Sequence, residues 1–148
     1  MPCAVVNTAD FAAVRDLLAR CGLPTEDVRE APGACQLAWL EDGALIGTVG
    51  VDVSGDLALL RSLAVEPAWR GRGLGRALTA EAEARAIAAG ARTLVLLTGT
   101  ADALASACGY EATSRCALGD GAAAFRQFAA GCCAEARCYA KKVGAGNP

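Results

Sequence analysis

The sequence predicts an α/β (α+β) fold, a mixed, mostly antiparallel twisted sheet with one central parallel strand pair and flanking helices. Three apolar segments at 35–40, 44–53 and 57–65 are separated by glycine-containing turns and indicate an antiparallel meander. An alanine-rich helix over 73–89 then leads to Thr93–Thr98, a short apolar run typical of a strand buried on both faces. Such a β-α-β unit makes a right-handed crossover with parallel pairing.

The other elements follow from caps, breakers and periodicity. Asp10 or Thr8 can cap a first helix whose apolar face begins at Phe11, and Gly22 with Pro24 ends it. After the central unit, a short helix is expected over 101–108, with a strand beginning at Gly109-Tyr110. The remaining expected elements are a short helix that opens at 25–27 and is broken at 31–33, a helix over 121–130 and a last strand over 136–143.

Length and composition limit the classes of function. The 148 residues fit a single domain spanning 1–148, with 54% hydrophobic and 20% charged residues. A net charge of −2 gives no basic field for nucleic acid, and no apolar run has the length of a membrane span. The first residues carry no charged leader followed by a long apolar region, so we expect a cytoplasmic protein. A homodimer is left open.

Eight cysteines and no histidine set further conditions. Without an export signal, reduced thiols are favoured over disulfides for the cysteines scattered among apolar residues, namely Cys3, Cys21, Cys35, Cys108 and Cys116. Cys132, Cys133 and Cys138 form a CCxxxxC pattern that is no standard zinc spacing, so structural thiols are favoured and no metal is expected. Any acid–base chemistry must use a group other than imidazole.

The most informative segment is 65–78, VEPAWRGRGLGRAL, which places three glycines and three arginines between a strand and a helix. The orphan amides of a helix amino terminus bind anions, and glycines let a phosphate approach the backbone. Arg70, Arg72 and Arg76 add donors suited to phosphate oxygens. The alternative to an anion site is that the arginines simply lie in solvent at the beginning of the helix. Neither a P-loop nor a dinucleotide fingerprint fits the spacing.

The pattern Arg70-x-x-Gly73-x-Gly75, preceded by Leu63-Ala64-Val65, resembles the acetyl-CoA signature of the GNAT family of N-acetyltransferases. The resemblance covers most of the chain and implies the GNAT fold, with acetyl-CoA as co-substrate. It also implies that Leu63 and Val65, with Ala64 between them, pair with pantetheine through their backbones. The residues implied to cradle the pyrophosphate are Arg70, Gly71, Arg72, Gly73, Leu74, Gly75 and Arg76.

A narrower likeness is to the bacterial arsenic-resistance N-acetyltransferases. It rests on the runs LLRSLAV at 59–65 and LTGT at 97–100, and on the cysteine-containing terminal segment. The resemblance implies a small amino-containing acceptor, of the class of arsenical or phosphinic amino acids, with Thr98 at the acceptor site.

Candidate acid–base groups depart from the family pattern. Many relatives carry a tyrosine acid where this chain has Ala105. Tyr110 and Ser106 lie nearby and are the remaining candidates, although a core aromatic role is favoured for Tyr110. Many also carry a glutamate base in the strand before the motif, where this chain has Arg61 and Ser62. Ser62 can order a water that acts as base. Water can also serve as the acid, because free thiols titrate near pH ~8.5 and the CoA thiolate is therefore a tolerable leaving group.

Arg61 has two open interpretations. Strict alternation places it on the same face as Leu63 and Val65, where burial requires an anionic partner. That partner comes either from another strand or from the substrate, and in the second case Arg61 binds an acceptor carboxylate or oxyanion.

The leading hypothesis is an N-acetyltransferase whose acceptor amine attacks the thioester directly. The alternatives are a non-catalytic CoA-binding sensor and a thiol-based arsenical-binding protein.

Overall fold

The computed structural model describes residues 5–7, 10–23, 25, 28, 34–98, 102–113 and 137–143. Several predictions lie outside these residues: the short helix after Thr25, the helix over 121–130, and the thiols of Cys3, Cys116, Cys132 and Cys133. For Thr98 and Cys138 the structure describes the backbone alone.

The described strands form one mixed sheet in the order β1-β2-β3-β4-β5-β7-β6. Only β4 and β5 pair in parallel; the other neighbours are antiparallel. The predicted mixed sheet with a central parallel pair is therefore confirmed. The strands are β1 (Val5–Asn7), β2 (Ala34–Glu41), β3 (Ala44–Ser54), β4 (Leu57–Val65), β5 (Thr93–Thr98), β6 (Glu111–Thr113) and β7 (Arg137–Lys142).

The meander over β2, β3 and β4 agrees with the predicted bounds to within one residue. Its first turn places Asp42 and Gly43 at φ 51° and 81°, and its second places Gly55 at φ 61°. Left-handed residues of this kind are what tight hairpin turns need, which explains the choice of Asp and Gly there. The edge strand β1 was not predicted, because three residues are too few to show an alternating pattern.

Within the residues that the structure describes, three helices cover the sheet: α1 (Phe11–Arg20), α2 (Leu74–Ala88) and α3 (Asp102–Ala107). Asp10 caps α1, its carboxylate accepting a hydrogen bond from the Ala13 amide at 3.2 Å. Gly73 is the N-cap of α2 in the left-handed region, with φ 84°. The predicted cap at Asp10 is thus confirmed.

The two main helices lie on opposite faces of the sheet and define two core clusters. On one face, α1 packs Val14, Leu17 and Leu18 against Ala64. On the other, Leu74, Leu78 and the small residues of α2 pack against β2 to β5 and against Tyr110. None of the helices in the described part of the chain has the length and hydropathy of a membrane span.

Candidate active site

The parallel strands β4 and β5 separate halfway along β4. Their pairing runs from Leu57↔Thr93 to Leu60↔Leu96 and stops there, although both strands continue. Just beyond that point, Ser62 has φ 55° and the β3–β4 register shifts, from Gly50↔Arg61 to Thr48↔Ala64. The strand therefore contains a β-bulge at Ser62, and bulges bend a strand away from its neighbour.

The bulge corrects one sequence-based prediction. Ala58 and Leu60 belong to the α2 face, and so do Leu63 and Val65, whereas strict alternation would put the two pairs on opposite faces. Arg61 consequently lies on the face opposite Leu63 and Val65, and the prediction that they share a face is wrong. The extra residue at the bulge reverses the alternation after it.

After β4, a 3-10 helix (Pro67–Trp69) and a glycine turn lead into α2. Gly71 and Gly73 have φ 80° and 84°, and a Cβ on either would meet no atom within 4 Å. The first intrahelical bond runs from the Ala77 amide to the Gly73 carbonyl. The amides of the first helical turn consequently lack intrahelical partners and face an open space, which is the geometry of an anion site.

An open groove of about 510 Å³ connects this turn with the bulged half of β4. Arg72 and Arg76, both exposed, are the two residues of the predicted coenzyme site that do not line it. The lining residues are Cys21, Leu23, Leu63, Ala64, Val65, Trp69, Arg70, Gly71, Gly73, Leu74, Gly75 and Leu104.

The arginines of the turn have different surroundings. Arg70 Nε donates to the Val65 carbonyl at 3.0 Å, and its Nη2 donates to Cys21 Sγ at 3.4 Å. These contacts fix the turn against the end of α1, so Arg70 shapes the site from within. Arg72 lies over the Trp69 ring, 4.7 Å from its centroid, at a distance typical of a cation–π contact. Phosphate binding by the three guanidinium groups stays a prediction.

The amino-acid sequence matches the model of the Acetyltransferase (GNAT) family over residues 8–110. This chain belongs to the GNAT acetyltransferase family. An aminoglycoside N(6′)-acetyltransferase type 1 of Stenotrophomonas maltophilia is 34% identical over 104 residues, 62% of this chain and 68% of that protein. The enzyme class predicted from the glycine motif, an acetyl-CoA-dependent acetyltransferase, is confirmed.

Solved structures agree in fold. An acetyltransferase of Streptococcus agalactiae superposes with a TM-score of 0.73 at 19% identity, covering 94% of this chain and 97% of that one. N-acetylglutamate synthase of Neisseria gonorrhoeae, solved with coenzyme A and N-acetylglutamate, gives 0.73 at 16% identity, covering 97% of this chain and 36% of the synthase. Acetyl-CoA is the co-substrate of this acetyltransferase. The narrower resemblance to arsenic-resistance enzymes finds no match among these relatives.

In the acetyltransferase, the free edge of β4 fits the expected role of Leu63 and Val65. The Glu66 amide donates to Ile46 of β3, and successive residues direct their peptide groups to opposite edges of a strand. Leu63 and Val65 therefore direct theirs to the side from which β5 has separated. The Val65 carbonyl already accepts from Arg70 and from the Cys21 thiol, the latter at 3.7 Å. Pantetheine pairing through Leu63 and Val65 stays a prediction.

Arg61 has its carboxylate partner within the sheet. Its Nε and Nη2 donate to the two carboxylate oxygens of Asp52 on β3, at 2.9 and 2.8 Å, and its Nη1 donates to Gln36 Oε1 at 3.1 Å. The Arg61 side chain is 5% exposed and that of Asp52 is 21% exposed. Of the two open interpretations, the structure supports a partner from another strand. An acceptor oxyanion is therefore not needed to balance the charge of Arg61.

Tyr110 is a core aromatic residue that lies outside the groove. It is 3% exposed, packs with the α2 face and donates from its hydroxyl to Glu83 Oε2 at 2.8 Å. Burial first, and then the neighbouring Glu83 carboxylate, raise the pKa of Tyr110 above its ordinary value. The Lys141 ammonium contacts the same carboxylate at 3.3 Å. A phenol held in this way is poorly placed to protonate a departing thiolate.

The remaining positions named from the sequence lie on α3, β4 and β5. Ala105 is fully buried in α3, Ser106 is exposed on the same helix, and Ser62 is half-buried at the bulge beside the groove. Thr98 ends β5, beyond the last parallel pair, with its backbone opposite Arg137 of β7. Among the described lining residues, Cys21 is the only one with a thiol, hydroxyl or carboxyl group.

Sequence reasoning missed two residues near the site. Cys21 was predicted only to be a reduced thiol; it is half-buried, forms no disulfide and lines the groove. Nothing in its sequence context distinguishes it from Cys35 or Cys108. Asp52 was missed as the partner of Arg61, although the β3–β4 hairpin register predicts their proximity. Among the described residues, no cluster of three metal-ligating side chains occurs.

Proposed function

We propose that this acetyltransferase acetylates a primary amine of a small molecule by direct attack on the thioester. The observation that carries the proposal is the separation of β4 from β5 after Leu60↔Leu96, which opens a strand edge leading from the glycine turn to the bulge at Ser62. A pantetheine extended along that edge delivers its thioester carbonyl to the bulge, next to a site open to an acceptor. Proximity and orientation of this kind supply much of the rate of acyl transfer.

In the proposed step, the neutral amine nitrogen forms a bond to the carbonyl carbon and the carbon–sulfur bond breaks. The proton from nitrogen passes to a water beside Ser62, and the CoA thiolate leaves and takes a proton from solvent. No carboxylate or hydroxyl lines the described part of the groove, so water carries the protons. The cytoplasmic location expected from the sequence stays a prediction.

Two acceptor classes are proposed, in order. An amino sugar comes first, because the relative at 34% identity is named for aminoglycoside acetylation. An arsenical or phosphinic amino acid comes second, from the resemblance at 59–65 and 97–100. It ranks lower because the Arg61 guanidinium, its proposed anchor, is bonded to Asp52.

The test is transfer of labelled acetyl from acetyl-CoA to a panel of aminoglycosides, phosphinic and arsenical amino acids, and simple amines. Product from one class assigns the acceptor. Coenzyme binding with no transfer to any amine would overturn the proposal in favour of a CoA-binding sensor.

The panel experiment also tests direct attack, because Cys21 is the one nucleophile among the described lining residues. We expect intersecting initial-velocity lines and retained turnover in Cys21→Ala. Parallel lines, together with loss of turnover in that variant, would show an acetylated Cys21 intermediate instead.

A further inference from the structure

A connected set of buried polar side chains lies on the α1 face of the sheet, directly beside the bulge. Gln36, Thr48 and Arg61 are each at most 5% exposed. Arg61 donates to Gln36, and Gln36 Nε2 donates to Thr48 Oγ1 at 2.7 Å. Thr48 in turn donates to the Leu37 carbonyl at 2.7 Å. Buried groups satisfied by one another in this way hold a single arrangement of the backbone.

These buried side chains connect the two β3–β4 residue pairs that lie on either side of the bulge. Arg61 pairs with Gly50 before the bulge, and Thr48 pairs with Ala64 after it. Gln36 joins Arg61 to Thr48 from the neighbouring strand β2, so the spacing between the two ladder positions is set by side-chain bonds as well as by the ladder. The ion pair with Asp52 fixes the guanidinium at the other end.

We propose that Arg61 and Asp52 are positioning residues for coenzyme binding: their ion pair holds the Ser62 bulge, and the bulge holds the edge of β4 open to pantetheine. Among the described residues, only Asp42 and Ser62 are non-glycine residues with left-handed φ. Asp42 lies in a hairpin turn, where this conformation is common, whereas Ser62 lies within a strand. Backbone strain at such a position persists only where the surroundings determine it.

Strand β3 carries a glycine, Gly50, directly opposite Arg61. A Cβ on Gly50 would clash with Arg61 Nη1 and would lie 2.7 Å from its Cζ. The guanidinium therefore lies directly over bare backbone and reaches Gln36 and Asp52 from there. An alanine at this position would displace it.

The bulge matters to the coenzyme because it decides the direction of the peptide groups that follow it. A strand without the extra residue would turn Leu63 and Val65 to the opposite face and their peptide groups to the β3 edge. The groove would then lose the backbone donors and acceptors that pair with an extended pantetheine. This inference rests on the use of acetyl-CoA and is independent of which amine accepts the acetyl group.

The test measures coenzyme A affinity by titration calorimetry, together with thermal unfolding, and needs no acceptor. Asp52→Asn leaves the Arg61 guanidinium with a neutral partner, and we expect the Kd for coenzyme A to rise about tenfold. Glu83→Gln is the matched control, because it weakens a comparable part-buried pair with Lys141 on the other face of the sheet. We expect a similar fall in Tm for the control, with the Kd within twofold of wild type.

A second substitution separates positioning from general loss of stability. Glycine adopts left-handed φ without the strain that serine carries. Ser62→Gly added to Asp52→Asn should therefore restore the Kd to within threefold of wild type while Tm stays low. Arg61→Lys keeps the charge but loses the two parallel hydrogen bonds to Asp52, and it should raise the Kd between threefold and tenfold. If Asp52→Asn does not fold, the Kd of Arg61→Lys serves as the test of the proposal.

Equal changes of Kd in Asp52→Asn and Glu83→Gln would overturn the proposal. So would a Kd that stays raised in the double variant, or one that is unchanged in Arg61→Lys.

Discussion

Replacing Gly73 by glutamate tests whether the open space before α2 is the pyrophosphate site. A Cβ there meets no atom within 4 Å, so the fold has room for the side chain. The main cost to folding is the left-handed φ of 84°, about 1–2 kcal/mol for an L-residue. A carboxylate about 4 Å from a phosphate costs about 4 kcal/mol near a protein surface. That energy corresponds to roughly a thousandfold loss of affinity.

Calorimetric titration with coenzyme A, alongside thermal unfolding, separates the two effects in Gly73→Glu. We expect no measurable binding and a Tm lowered by about 2–8 °C, since each kcal/mol shifts Tm by about 2–4 °C in a domain of this size. Gly90→Glu is the matched control, because Gly90 also has a left-handed φ, 103°, with no atom near its Cβ, at the opposite end of α2. Gly73→Lys separates charge from bulk, since it keeps the strain and reverses the sign. Affinity within threefold of wild type in folded Gly73→Glu would refute the assignment of the glycine turn.

Further predictions concern the acid, the buried arginine and the first helix. Tyr110→Phe and Ser106→Ala should each lower kcat less than about tenfold, whereas a true general acid contributes ~10²–10⁴-fold. The pKa of Tyr110 is raised on folding, so the contribution of Tyr110 to the free energy of unfolding is present below pH ~10 and is lost as the pH rises above it. Wild type should therefore lose stability at alkaline pH faster than Tyr110→Phe. Arg61→Lys should lower the free energy of unfolding by about 1–3 kcal/mol and leave the acceptor KM unchanged at saturating acetyl-CoA, and a raised KM would return Arg61 to the acceptor site. Asp10→Ala should cost about 1 kcal/mol in thermal unfolding without changing kcat, since its carboxylate caps α1 away from the groove.

Much of the fold was predictable because local signals and tertiary structure agree along this chain. The bounds of β4 and β5 match the predicted segments, and the helix between them begins one residue after Gly73 and ends one before Ala89. Hairpin glycines and the apolar run of β5 are strong signals because backbone conformation and burial depend on them directly. The edge strand Val5–Asn7 was missed because its pairing with β2 depends on long-range contact alone.

The position of Arg61 shows where sequence reasoning stopped short. The tight turn at Gly55 fixes the β3–β4 register as Ser54↔Leu57, which brings Asp52 diagonally opposite Arg61 on one face of the hairpin. The Asp52–Arg61 pair could therefore have been predicted from the hairpin register. The bulge at Ser62 could not have been predicted, because serine has no preference that would mark a left-handed residue inside a strand. The face of Leu63 and Val65 consequently required the structure.

Gly50 and Gly73 look alike in the sequence and serve opposite purposes. At Gly50 the missing side chain leaves space that the protein fills itself, with the Arg61 guanidinium. At Gly73 the corresponding space is open, at the amino end of α2, and the family's coenzyme is an anion that such a site favours. We therefore expect a methyl group at Gly50 to act mainly on the free energy of folding and, through the bulge, on coenzyme binding. We expect a methyl group at Gly73 to act on the coenzyme directly. The distinction depends on what surrounds each Cα, which is why we place the predicted coenzyme contact at the motif glycine and the residues proposed to hold the bulge on neighbouring strands.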